Sequence, residues 1–275
     1  MSQDRPLPIA EHLRELGKRL KRVIIAFVIG FLIGWLPSPG EFKVLLNPSH
    51  LAAAFLLSEY KPVAALLFRY VVIDALPRDI HVATLGLLTP LEVLFYICTI
   101  MGIIVAFPVL LREIYLFLKP GLYKHEVTLM RNYLLSGTVL FIGGVIFGYL
   151  VVFRALIRLY VMLTPWIGLE KLLLVRNLLN ELLGATVFSG ILFETPIIML
   201  LLAKAEIVNP SSYIEYRPIV YAIAILLICI FNPDPTFLSS LIWITVFIIL
   251  YEIGIILSKR AIKRHGDDRY RRPSE

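Results

Sequence analysis

Three observations predict an all-helical integral membrane fold of about six transmembrane helices. Apolar residues make up 59% of the chain and charged residues only 17%, where a soluble globular domain holds roughly 45–50% and about 25%. That is more apolar surface than one soluble core encloses, and a mean hydropathy of +0.82 agrees. Finally, apolar runs recur at 23–36, 87–111, 132–156, 182–203, 218–231 and 237–257. A helix needs about 20 apolar residues to cross the hydrocarbon core.

Taken in order, the first span (23–36) follows a basic stretch and resembles a secretory leader. The preceding segment is long, mixed in charge and helical in pattern, and Pro37-Ser38-Pro39-Gly40 follows in place of a small-x-small cleavage site. It is read as a retained span that borrows its flanks. The stretch 37–86 is interrupted regularly by Lys43, Glu59, Lys61, Arg69 and Asp74, so short amphipathic helices at the outer surface are expected in this loop. Spans two, three, four and six have full length, the fourth only by carrying Glu194. The fifth is short, which implies local thinning of the bilayer or burial in a bundle. A tight hairpin, Asn232-Pro233-Asp234-Pro235-Thr236, joins the last two spans, and a flexible basic tail follows at 259–275. The length suits a single membrane domain over 1–275. No internal repeat suggests an inverted-repeat transporter.

Orientation follows from Lys and Arg. The N-terminal segment, loops 112–131 and 204–217 and the tail hold 19 of them, against eight in the alternate loops. The excess places both termini in the cytoplasm. Nucleic-acid binding lacks the interleaved aromatic and basic residues it needs. Cys98 and Cys229 both fall in apolar runs and are read as packed hydrophobes, with no disulfide or metal framework.

Three segments can carry function. In EHLRELGKRL (11–20), Leu13, Leu16 and Leu20 form a stripe at helical spacing, beside Lys18, Arg19, Lys21 and Arg22. Membrane lipid suits the cations but not Glu15, which needs either Arg19 at i+4 or a cation from outside. In FLKPGLYKHE (117–126), Pro120-Gly121 breaks the helix between Phe117 and Tyr123. Glu126 lies beyond the break, where it serves a helix N-terminus or a ligand. In FETP (193–196), a mid-membrane carboxylate costs about 2.5–3.5 kcal/mol, so Glu194 should face protein or water. Pro196 frees the carbonyl of Leu192 and favours a kink. Together they imply a concave, polar indentation, or else a hydrogen bond to a neighbouring helix. Glu252, close to the boundary of span six, is expected to snorkel or to pair with a basic residue. No Walker loop, HExxH, GxSxG or DFG set is present, so no catalytic residue, cofactor or metal site is assigned. A six-span secondary transporter or channel with Glu194 as its ion or proton site is the alternative, and it lacks the second broken helix such sites use.

The three segments, in this order, closely resemble the TatC family, the multi-spanning subunit of the twin-arginine protein translocase. The resemblance runs through HLRELGKRL, FPVLLREIYLFLKPGLYKHE, FIGGVIFGYLVVF, FSGILFETP, RPIVY, the NPD turn and LYEIG, essentially the whole chain. It implies a non-enzymatic receptor in a prokaryotic plasma membrane. Such a receptor recognises twin-arginine signal peptides of folded precursors, assembles with single-span TatA/TatB-type subunits, can self-associate, and draws on the proton-motive force. By resemblance, Glu15, Leu16, Arg19, Phe117, Pro120, Tyr123 and Glu126 bind the signal, and Glu194 and Pro196 line an intramembrane groove. Gly17 stands where a basic residue is usual, Arg154 where a proline commonly follows span three, and NPDP where TPPD or APD is common.

Overall fold

The computed structural model describes residues 9–38, 61–118, 124–204, 207–231 and 237–270, with the side chains at 9–13, 117–118, 124–133, 231, 237–238 and 262–270 excepted. Within these limits the chain is overwhelmingly helical. Four helices, Thr89–Leu116, Leu134–Trp166, Val175–Lys204 and Ser239–Ala261, are long and apolar enough to cross a membrane. The chain divides into two compact units, Met1–Leu76 with Thr84–Gly121 and Pro77–Ala83 with Leu122–Glu275.

The first unit is built on α1 (Ile9–Gly34) and α3 (Thr89–Leu118), which run antiparallel. Gly30 faces Gly102 and Val105, and Gly34 faces Cys98. In lipid, apolar side chains gain nothing by leaving their solvent, so helices associate by close packing at small residues. A Cβ at Gly34 would lie 2.5 Å from Cys98 Sγ, and one at Gly30 would lie 2.8 Å from Val105 Cβ. Phe95 closes the far end of the seam against Phe31 and Trp35, with ring centroids 5.6 and 5.7 Å away. Cys98 is therefore packed as expected, whereas Cys229 lies exposed on a later helix, so the packing expectation fails for it.

Between these helices, α2 (Val63–Phe68) continues through a wide turn at Arg69–Ile73. Ala64 and Val72 are fully buried, so this part of the loop packs into the unit and does not simply lie on a surface. The backbone amide of Ser38 donates to the Lys61 carbonyl at 3.0 Å, and that of Val63 donates to Leu36 at 2.9 Å. The rest of the expected outer-loop helices, at 39–60, lies outside the described residues.

In the second unit, α4 (Lys124–Phe147), a wide turn at Gly148–Phe153 and α5 (Arg154–Trp166) form one continuous rod. The Arg154 amide donates to Val151, and the helix runs on to Trp166. Its guanidinium lies over the Tyr149 ring, 5.2 Å from the centroid. A parallel ladder of β1 (His81–Ala83) and β2 (Leu172–Leu174) was not expected from an all-α reading. Three-residue strands leave no period in the sequence. The Lys171 ammonium donates to Asp79 beside the ladder and holds that carboxyl below the usual carboxylate range. This pairing stabilises the ladder above the unfolded pKa and is lost as pH falls through the folded one.

Next come α6 (Val175–Phe193), α7 (Thr195–Lys204), α8 (Pro210–Glu215), α9 (Arg217–Phe231) and α10 (Phe237–Tyr270). Asn209 caps α8 by accepting from the Ser211 amide at 3.2 Å, with Pro210 at the first helical position. At 15 residues, α9 is about 22 Å long, short of the hydrocarbon thickness. The hairpin 232–236 lies outside the described residues. The rod meets α6 where Gly144 and Gly148 face Ser189, Gly190 and Ala185. On the other side, Trp243 of α10 is 2% exposed and meets Phe188 edge-on at 4.9 Å.

A Cβ at Gly144 would stand 2.6 Å from the Ser189 carbonyl, while one at Gly143 meets nothing within 4 Å. Gly144→Val is therefore expected to destabilise the purified protein by about 1–3 kcal/mol, with Gly143→Val close to neutral. Thermal unfolding in detergent measures both, and equal melting temperatures would contradict this packing.

Candidate functional site

A cluster of charge joins α1 to the end of α3. Glu113 has a side chain only 3% exposed and accepts from three arginines. Arg22 donates to both carboxylate oxygens, at 3.2 and 3.0 Å. Arg112 donates to Oε1 at 3.2 Å, and Arg19 reaches Oε2 at 3.5 Å. The carboxylate is buried because α1 and α3 close over it, and its charge is tolerable only because the guanidiniums are there.

Arg19 is the hinge of the cluster. Its Nη1 also donates to the Glu113 carbonyl at 3.3 Å, and its Nη2 to the Leu116 carbonyl at 3.2 Å. Leu116 is in the last turn of α3, where carbonyls lack intrahelical donors and carry partial negative charge, and Glu113 lies just before it. On its other side Arg19 donates through Nε and Nη2 to Glu15 Oε1, one turn earlier in α1. Of the two readings of Glu15, pairing with Arg19 at i+4 is thus realised in the free chain. The Glu15 side chain is 43% exposed and that of Arg19 is 14%, so the carboxylate remains reachable from outside. Leu16 and Leu20 are 52% and 55% exposed, a lipid- or ligand-facing stripe beside it.

Phe117 lies in α3 with its side chain outside the described residues, as does that of Glu126 in α4; Pro120 and Tyr123 lie outside them entirely. The structure therefore brings together Glu15, Leu16 and Arg19 of the expected signal-binding set. It adds Glu113, which sequence reasoning missed although it lies in the quoted LREIY segment. A carboxylate beside Arg112 looks like a surface ion pair until α1 covers it.

In the second unit, Glu194 occupies the junction of α6 and α7. Its amide donates to Ile191 at 3.1 Å, and its carbonyl accepts from Ile197 and Ile198 at 3.0 and 2.9 Å. Pro196, fully buried, has no amide to donate. The Glu194 side chain is 4% exposed, and among the described residues neither carboxylate oxygen has a hydrogen-bond partner; nor has Ser189 Oγ. The expected alternative, a hydrogen bond from a neighbouring helix, is not formed among these residues. Glu252 behaves as a paired carboxylate, accepting from Arg217 at 2.6 Å and from the Tyr221 hydroxyl at 2.7 Å. Among the described residues no group of three His, Cys, Asp or Glu side chains could hold a metal ion.

Comparison with known proteins places this geometry. The family model described as "Sec-independent protein translocase protein (TatC)" matches residues 11–245. The Sec-independent protein translocase protein TatC of Aquifex aeolicus is 29% identical over 265 residues, covering 94% of this chain and 97% of that protein. TatCy of Bacillus subtilis is 26% identical over 258 residues, covering 94% and 91%. A crystal structure of the twin-arginine translocase receptor TatC is similar at a TM-score of 0.67 and 28% identity, covering 91% of this chain and 99% of that one. A second, in DDM, reaches a TM-score of 0.70 at 29% identity, covering 90% and 99%.

Glu113→Gln is expected to destabilise the chain by about 1.5–3 kcal/mol, the range for hydrogen bonds to charged groups. Arg112→Gln should cost under about 1 kcal/mol, since that arginine is 57% exposed and its pairing is screened. Thermal unfolding in detergent ranks the two, and the reverse order would show that Glu113 is not the anchor.

Proposed function

This chain belongs to the TatC family of Sec-independent protein translocase proteins, and from that premise we propose that it is the receptor subunit that recognises twin-arginine signal peptides. It does so at the cytoplasmic face of a prokaryotic plasma membrane, with both termini cytoplasmic and the whole chain acting as one membrane domain of six spans near the boundaries read from the sequence. It assembles with single-span TatA/TatB-type subunits and moves folded precursors by the proton-motive force, with no chemistry of its own.

The observation that carries this reading is Glu15: a half-exposed carboxylate on the first helix that already accepts a guanidinium through two nitrogens. A carboxylate suits an arginine fork, whose parallel donors an ammonium cannot reproduce. Glu15 meets one signal arginine and Glu126 the other. Leu16 offers its exposed face to the apolar part of the signal, with Phe117 and Tyr123 on either side of Pro120 framing it. Glu194 is a second point of engagement. A buried carboxylate with no donor among the described residues is the acceptor that an inserted signal or partner helix supplies with a donor, at the step in the helix made by Pro196.

Export tests this directly. Glu126→Ala, expressed and folded at wild-type level, is expected to reduce export of a twin-arginine precursor at least tenfold; normal export would overturn the role of Glu126. Glu194→Leu should leave a folded protein that fails in partner assembly and export. Full export by that variant would reduce Glu194 to a structural group.

A further inference from the structure

The receptor reading assigns Glu15 to a signal arginine, yet Glu15 already holds an arginine of its own chain. The Arg19 guanidinium is fully engaged: Nε and Nη2 on Glu15 Oε1, Nη2 also on the Leu116 carbonyl, and Nη1 on the Glu113 carbonyl and on Glu113 Oε2. It bridges two carboxylates of unlike character, Glu15 at 43% exposed and Glu113 at 3%. We propose that Arg19 is an internal occupant of the signal-arginine site, displaced from Glu15 when a signal arginine binds, and that Glu113 is the carboxylate that keeps Arg19 while it is displaced.

The two partners of Arg19 are unequal, and the exchange rests on the receptor reading above. On the Glu15 side, Arg19 makes an exposed i,i+4 pair, the weakest class of ion pair. On the α3 side it meets the Leu116 carbonyl of the helix C-terminus, the Glu113 carbonyl just before it, and a buried carboxylate. Those acceptors remain when the Glu15 contact is broken, so Arg19 need not be stranded in a poorly solvated place. A slight closing of the 3.5 Å gap to Glu113 Oε2 completes the transfer. Arg22 and Arg112 lie mostly in solvent and can yield part of their hold on Glu113 to water at little cost.

This arrangement bears on affinity. An incoming group must outcompete a guanidinium already seated on Glu15, and an ammonium, lacking the fork, starts from the weaker intrinsic affinity. Arg19 thus acts as a built-in competitor that weakens arginine and lysine signals by the same factor and pushes the already weaker lysine signal further from useful binding. The apparent affinity for the signal is lowered by the fraction of molecules in which the site is self-occupied.

The experiment is equilibrium binding of a fluorescent twin-arginine signal peptide and its twin-lysine counterpart to the full-length protein in detergent. Wild type is compared with Glu15→Ala, Arg19→Gln, Arg19→Lys, Glu113→Gln and the double variant Arg19→Gln/Glu113→Gln. Arg19→Gln retains a donor for the Leu116 carbonyl but takes the competing guanidinium away from Glu15. It should bind both the twin-arginine and the twin-lysine peptide about tenfold more tightly, with the arginine preference set by Glu15 unchanged. Arg19→Lys, which preserves the charge, should shift the same way by less, and answers the question if the Gln variant does not fold. Glu113→Gln should weaken binding, and this effect should vanish in the double variant; a Glu113 role in stability alone would weaken binding in both backgrounds. If Glu15→Ala abolishes the arginine preference but neither Arg19 variant tightens binding, the exchange is overturned while the receptor reading stands. If wild type shows no arginine preference and Glu15→Ala changes nothing, the receptor reading falls, and the exchange with it.

Discussion

Covering an ionised carboxylate with apolar helices is costly unless a cation meets it, and the first unit of this chain is arranged around that constraint. Glu113 is 3% exposed and meets Arg19, Arg22 and Arg112. The small residues along the seam, Gly30, Gly34 and Gly102, let α1 and α3 come close. The charge cluster then fixes the register at the end where the seam leaves the apolar region. Because Arg19 belongs to both the anchor and the Glu15 pair, the most exposed carboxylate of the cluster is positioned by the most buried one.

The same constraint, unmet, marks the second unit. Glu194 is as buried as Glu113 but has no hydrogen-bond donor among the described residues, while Glu252 in the same unit is held by Arg217 and Tyr221. Glu252 is tied into the scaffold by its two donors, and Glu194, at the helix break, has none among the described residues. The contrast between Glu252 and Glu194 is therefore more informative than the presence of either.

Much of this was legible in the sequence, because lipid reduces the options. Hydropathy gave the helices, and the long runs matched four described helices of spanning length. Glu194 beside Pro196 announced a helix break by composition alone. What escaped notice depends on tertiary contact. Glu113 sits next to Arg112 and reads as a surface pair; only the packing of α1 buries it. The ladder joining His81–Ala83 to Leu172–Leu174 is too short for periodicity to register. Ala64 and Val72 look like part of an interrupted loop, yet they are fully buried. Arg154, noted as a departure from the usual proline, lies inside a rod that extends to Trp166, and the sequence alone does not show that the helix does not stop there.

The central claim is that a guanidinium-shaped carboxylate site, and not general negative charge, recognises the ligand. The most direct test is the salt dependence of wild-type binding to a twin-arginine signal peptide and to the same peptide with both arginines replaced by lysine. Bidentate recognition predicts that both affinities fall as salt rises, while the arginine peptide keeps an advantage of about tenfold throughout. An advantage that disappears at high salt, or equal binding at every salt concentration, would mean that the protein attracts basic peptides without reading their arginines.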